Sequence, residues 1–311
     1  MYFYHLYGLN FQSTFTIQGL TEIAPLKDNP DVTIQLISDG CIYDFVPEDV
    51  AQQPIALQLE PTDALIYLQN SGVYLIQGGC KIVIISTPKV LLENISQAVL
   101  GVVLAVLLYQ RGLYILHAST AAIGNTAIAF LGDSGAGKSS ALATVIAQGF
   151  AGITDDLTAV QLTTDEAIVY SGVAQMKLAA EVASLLMPGE SVPQTDTNNE
   201  ASFSFSPAPA SNAFSLQNLY ILEYGLDFAI ESIPRQQAII ELLRYSGLKS
   251  VLPIRNRHQF NQAAQLANRV ELYRLKRPRD LSQLTKMAQL LKQHISNTHF
   301  GQNRLEYEVI R

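Results

Sequence analysis

The chain has 311 residues, 48% of them hydrophobic and 15% charged, with a net charge of −7. Disorder along the whole chain is excluded, and there is enough apolar material for one large core or for a small domain beside a larger one. The negative balance argues against nucleic acid as the main partner. Cys41 and Cys80 lie far apart and outside any Cys/His cluster, which points to a reducing compartment and no zinc site. The start, MYFYHLYGLN, lacks the basic residues and cleavage site of a signal peptide, so a cytoplasmic protein is expected.

In chain order, residues 1–88 read as a β-rich domain. FQSTFTI, DVTIQLI, ALIYL, GVYLI and KIVII are short runs of β-branched and aromatic residues separated by turn formers. No catalytic motif falls there. From Leu91 to Leu108 the pattern becomes helical. Residues 94–110 carry no charge, but the continuous apolar run spans only Ala98 to Tyr109. A helix of that length rises about 18 Å against about 30 Å for a bilayer core, so a buried helix is expected and no membrane partner.

A strand is expected at LYILHAS (113–119) and another at AIAFL (127–131). The loop GDSGAGKS follows, then a helix that Gly149 closes at the position after its cap. A strand near 151–154 leads into Asp155 and Asp156. LTAVQL and AIVYS then pair about the turn TTDE. Residues 188–212, rich in Pro, Ser, Asn and Ala, read as a long exposed loop of the kind that frames sites. Next come the strand LYILEY (219–224) and a helix at 235–245. In LSQLTKMAQLLKQHI, apolar residues at 281, 284, 287, 288, 291 and 295 form a one-sided stripe that should pack on the core. The fold class is α/β, with the smaller β-rich domain over 1–88 and the larger domain over 89–311.

GDSGAGKS fits G-x-x-x-x-G-K-[ST] in full, and it sits between an apolar strand and a helix as the mechanism requires. Its glycines let backbone N–H groups converge on phosphate oxygens, and the helix aims its positive end at them. The nucleotide-binding set is therefore Gly132, Asp133, Ser134, Gly135, Ala136, Gly137, Lys138, Ser139 and Ser140. Lys138 supplies charge for the β- and γ-phosphates, and Ser139 a hydroxyl for Mg²⁺. Asp155 and Asp156 follow the lysine by seventeen and eighteen residues. One carboxylate at a strand end serves the nucleotide's metal; a second allows proton abstraction from an attacking hydroxyl. A turn with a single metal-binding aspartate is the plainer alternative. His117, fifteen residues before the loop, is by spacing alone a core or surface residue more often than a catalytic one.

The spacing of His117, the phosphate loop and the paired aspartates resembles the catalytic domain of the HPr kinase/phosphorylase family. It looks more similar to the HPr-kinase-like serine kinases, some of which accompany peptide natural-product pathways. LYILHAS, VAQMKL, LYILEYG and VELYRLKRPRDLSQL fit that group, so the resemblance covers roughly 90–295. It implies a phosphoenolpyruvate-carboxykinase-like P-loop kinase core and transfer of the γ-phosphoryl of ATP, with Mg²⁺, to the serine of a peptide or small protein. Asp155 becomes the general base, His117 the residue that orients or tunes it, and Asp156 and Ser139 lie near the metal. The family's Glu-Ile-Arg-Gly signature is represented only by Glu181, a candidate metal ligand, followed here by VASLLM. That departure argues against HPr itself and against phosphorylase activity. The resemblance leaves a homo-oligomer open.

Two other readings remain at this point: a kinase of a small-metabolite hydroxyl, and a nucleotide-binding sensor or assembly protein without transfer. The combination of His117 with both aspartates favours catalysis. Ten of the 20 Lys and Arg lie between Arg235 and Arg279, against Glu241, Glu271 and Asp280, so residues 235–280 carry +7 in an acidic chain. Solvated helix faces would explain this. A basic wall toward nucleotide or an acidic acceptor would too, with Arg235, Arg244, Arg255 and Arg257 as its candidates.

Overall fold

The computed structural model describes residues 1–60, 62–186, 200–209, 213–248 and 257–308. Seven strands come first: β1 (Tyr2–Leu6), β2 (Leu9–Ser13), β3 (Val32–Ile37), β4 (Ile55–Leu59), β5 (Asp63–Leu68), β6 (Gly72–Gln77) and β7 (Lys81–Ile85). They form one sheet in the order β1-β2-β3-β7-β6-β5-β4. In β3, Val32 and Ile34 are buried while Thr33 and Gln35 are exposed, the period-2 pattern of a sheet with one covered face. The strand expected over FQSTFTI ends at Ser13, and YFYHL and IALQL supply two strands beyond those expected.

A helix of 19 residues follows, in three parts: α1 (Leu92–Ala98), a π turn (Val99–Val103) and α2 (Leu104–Gln110). It is longer than its apolar run and, by length and composition, long enough to cross a membrane. The argument from length therefore fails; packing decides its place instead. Val99 and Val103–Leu108 are buried in one cluster with Tyr4, Ile34, Ile66 and Ile76 of the first sheet, and with Ile115, Leu157 and Val173 beyond. A division at 88/89 falls between the sheet and a helix that shares its core.

The larger sheet begins with β8 (Tyr114–Leu116), β9 (Ser119–Ile123) and β10 (Thr126–Leu131). After α3 (Lys138–Ala147) come β11 (Ala151–Thr154), β12 (Thr158–Leu162) and β13 (Ala167–Tyr170). A separate pair, β14 (Gln175–Ala179) and β15 (Glu200–Ser204), flanks α4 (Ala180–Leu186). The chain then runs through β16 (Ala213–Tyr224), β17 (Ala229–Ser232), α5 (Arg235–Arg244), α6 (Arg257–Ala267), β18 (Glu271–Arg277) and α7 (Leu284–Glu308).

Two expectations are corrected. LYILHAS is two strands, because Leu116 bridges to Ser246 and the His117 N–H donates to the Tyr245 carbonyl, turning the chain before it re-enters the sheet at Ser119. The stretch 188–212 contains β15, whose Ala201 and Phe203 alternate inward against β14; residues 188–199 and 210–212 lie outside the described residues.

β10, β16 and β18 run parallel at the centre. On β10, Ala127, Ala129 and Leu131 join a cluster with Ala238 and Leu242 of α5 and Leu266 of α6. Ile128 and Phe130 join the opposite one, with Leu142 of α3 and Met287 and Leu291 of α7. A strand covered on both faces reads as an unbroken apolar run, which is why AIAFL carries no alternation. The stripe on α7 packs as expected, with 284, 287, 288, 291 and 295 buried.

Candidate active site

The phosphate loop leaves the carboxyl end of β10 and enters α3 at Lys138. Parallel pairing brings the ends of β16 and β18 to the same edge, the place where open α/β sheets bind ligands. Three side chains from that edge hold the loop. The Tyr224 hydroxyl donates to the Gly135 carbonyl at 3.1 Å, and Arg277 Nη2 to the Ala136 carbonyl at 3.0 Å. Arg244 Nη2 pairs with Asp133 Oδ2 at 2.7 Å. Gly137 caps α3 at φ 89°, and a Cβ there would stand 2.3 Å from Arg277 Nη2. Lys138 is only 7% exposed, and its Nζ donates to the Gly132 carbonyl at 3.1 Å. Ser139 and Ser140 follow, half-buried, in the first turn of α3.

Asp155 and Asp156 sit past the end of β11. The Leu157 N–H donates to the Asp155 carbonyl at 2.7 Å, closing a three-residue turn with Asp156 at φ 63°. Asp155 is 5% exposed. The Ser119 hydroxyl donates to its Oδ1, while Oδ2 is buried without a hydrogen bond of proper geometry. Burial, then the charge of Asp156, push this carboxyl up to about 7; the Ser119 and Ser139 hydroxyls act in the opposite direction. Asp156 is exposed. The described hydrogen bond of His117 runs from Nδ1 to the Asp156 carbonyl at 3.1 Å. The histidine thus braces the turn through its main chain, and the Ser119 hydroxyl is hydrogen-bonded to the Asp155 carboxylate.

A second brace comes from the first sheet. Tyr7, in the β1–β2 turn at φ 54°, is buried against the Asp155–Leu157 turn. Its hydroxyl donates to the Leu157 carbonyl at 2.9 Å and lies 3.4 Å from Thr154 Oγ1. Its N–H donates to the Ser171 carbonyl, and a Cβ on Gly172 would meet its ring at 2.4 Å. Tyr7→Phe is expected to cost about 1–2 kcal/mol of stability in urea unfolding, because a buried carbonyl loses a donor. A loss of Asp155-dependent activity should accompany it. An unchanged unfolding midpoint would show the bond to be dispensable.

Two cavities meet this region. One of about 590 Å³ is lined by Asp133, Gly135, Glu223, Tyr224, Arg244 and Arg279, beside the phosphate loop. The other, about 380 Å³, is lined on its polar side by His117, Asp155 and Asp156. Among the arginines expected from sequence, Arg244 is in the first cavity. Arg235 and Arg257 are exposed at the starts of α5 and α6, and Arg255 lies outside the described residues. The cations that do gather there, Arg277 and Arg279, stack on the Tyr224 ring at 4.9 and 4.6 Å. Glu181 is exposed in the first turn of α4 and does not line the second cavity.

The donor set fits a nucleotide with its magnesium. Mg²⁺ takes one or two carboxylates together with phosphate and water, and the exposed Asp156 carboxylate and the Ser139 hydroxyl are of that kind, beside a buried Asp155 oxygen that is unpartnered. Among the described residues no group of three or more His, Cys, Asp or Glu side chains comes together.

No family model matches the chain, and no curated protein matches it in sequence. Among solved structures it is similar to an HPr(Ser) kinase/phosphatase from Coxiella burnetii, at 10% identity and a TM-score of 0.32. That match covers 60% of this chain and 98% of the other. A likeness so slight carries no functional argument, so the chemistry rests on the site itself.

Proposed function

We propose that the protein is an ATP-dependent phosphotransferase that moves the γ-phosphoryl group to a serine hydroxyl of a peptide or small protein. The observation that supports this best is the placement of Asp155. It is a buried carboxylate with one oxygen unpartnered, beside Ser139 of the phosphate loop on one side and on the wall of a separate cavity on the other. Simple nucleotide binding has no use for such a group, whose burial is costly.

In this reading Lys138 and the backbone of 132–137 hold the phosphates, and Ser139 and Asp156 hold the magnesium, which neutralises charge on the transferring group. Asp155 accepts the proton of the serine hydroxyl as its oxygen bonds to the γ-phosphorus and the bond to ADP breaks. Ser119 fixes one carboxylate oxygen and leaves the other for that proton. His117 and Tyr7 keep the turn in place. A phosphoenolpyruvate-carboxykinase-like core and a cytoplasmic setting belong to the same proposal.

Incubation with γ-labelled MgATP and serine-containing peptides tests it. Label on phosphoserine is the expected result; MgATP bound with no transfer to any hydroxyl would leave a nucleotide sensor. Neutralising the cations at the phosphate loop gives a further test. Arg244→Gln or Arg279→Gln should weaken MgATP binding by roughly 0.5–1.5 kcal/mol each, about two- to tenfold. Arg235→Gln and Arg257→Gln should change it little. Calorimetry separates the two pairs; equal effects would show that the basic segment acts only through its overall charge.

A further inference from the structure

The cavity beside Asp155 has a character that phosphoryl transfer alone does not require. Besides its polar groups it is lined by Leu100, Val102, Ala105, Leu157, Val173 and Met176. The first three come from the helix between the two sheets, at and just after its π turn. Such turns insert an extra residue and recur at functional sites. Here Gly101 opens onto the same cavity, with no atom within 4 Å of where a Cβ would stand. An acceptor carrying acidic groups would call for several cations in the wall, and among the described residues Lys177 is the one Lys or Arg that lines it.

From this geometry we infer that the cavity receives an apolar side chain next to the acceptor serine, so the substrate is a peptide whose serine is flanked by a residue such as Leu, Ile, Met or Phe. The inference rests on the phosphotransferase reading and sharpens it. A peptide suits the site because the cavity is bordered by the β14–β15 pair. That pair contributes Gln175 and Ser202, and α1 contributes Gln97, as hydrogen-bonding groups for an extended backbone. Burying one apolar side chain is worth about ten- to a hundredfold in kcat/KM.

The test uses the full chain and serine peptides that differ only at the flanking residue: Leu, Ala, Asp or Lys. The Leu peptide should exceed the Asp peptide by at least about tenfold in kcat/KM. Val102→Glu, a carboxylate on the apolar wall, should move the preference from Leu to Lys, while Val102→Ile keeps it. MgATP affinity by calorimetry reports whether the variant is folded, and the peptide series on the unaltered protein decides the question even where it is not. Equal rates for Leu and Asp peptides, or a Leu preference untouched by Val102→Glu, would overturn the inference. So would MgATP binding with no peptide phosphorylated. Failure of the unaltered protein to bind MgATP would instead overturn the phosphotransferase reading beneath it.

Discussion

Asp155→Asn should lose phosphoryl transfer and keep MgATP. The amide is nearly isosteric and still accepts the Ser119 hydroxyl through Oδ1, so loop and fold survive. It cannot take a proton, and general-base contributions are typically about 10²–10⁴-fold in rate. The same change should stabilise the nucleotide-free protein. The folded-state pKa of Asp155 is raised from 3.8 to about 7, chiefly by burial. Between those values the folded state holds the proton more tightly than the unfolded chain. Stability therefore falls as pH rises through that window, and the deficit is complete above it. At about 1.4 kcal/mol per pH unit the cost is of the order of a few kcal/mol. Asparagine removes it, so the melting advantage of the variant should grow between about pH 4 and pH 7 and level off above. Transfer at full rate would take the base out of the mechanism. An advantage over the wild type that shrinks as pH rises through that window would contradict the buried-charge account.

Lys138→Ala should raise the Kd for MgATP by about 1.5–3 kcal/mol, roughly ten- to a hundredfold. The ammonium is buried, with the Gly132 carbonyl as one partner, so little of its effect is lost to solvent screening. Alanine is the best helix former for the first position of α3, and the loop is held independently by Tyr224 and Arg277. Calorimetry with wild-type affinity would withdraw the phosphate role from this loop. A Kd raised together with a lower melting temperature would show instead that the lysine holds the loop's shape.

The legible part of the site was whatever is contiguous. GDSGAGKS carries its own conformation, and Asp155 and Asp156 follow a strand whose end could be read locally. The amphipathic period of α7 and the apolar run of β10 likewise show in a short window. The rest depends on pairing between distant segments. Ser119 lay in the LYILHAS segment, two residues from His117, and nothing local marked it as the partner of Asp155. Arg277 and Arg279 were within the basic segment, but only the parallel register of β16 and β18 sets them on Tyr224. The charge count alone could not separate them from Arg235 and Arg257. β15 was hidden by the composition of its surroundings; the helix at 92–110 was legible, but its apolar run, Ala98–Tyr109, is shorter than the helix itself.

The tyrosine at position 7 binds two histories of the chain together. Its hydroxyl reaches a carbonyl 150 residues away, across the line that would divide the protein for study in pieces. A fragment starting at residue 89 loses that support, so its inactivity would report a slack turn at Asp156 and say nothing about where substrate is recognised. Linkage works in both directions: whatever grips the first sheet and shifts Tyr7 must be felt at the aspartates, and occupation of the aspartates must be felt by whatever grips the first sheet.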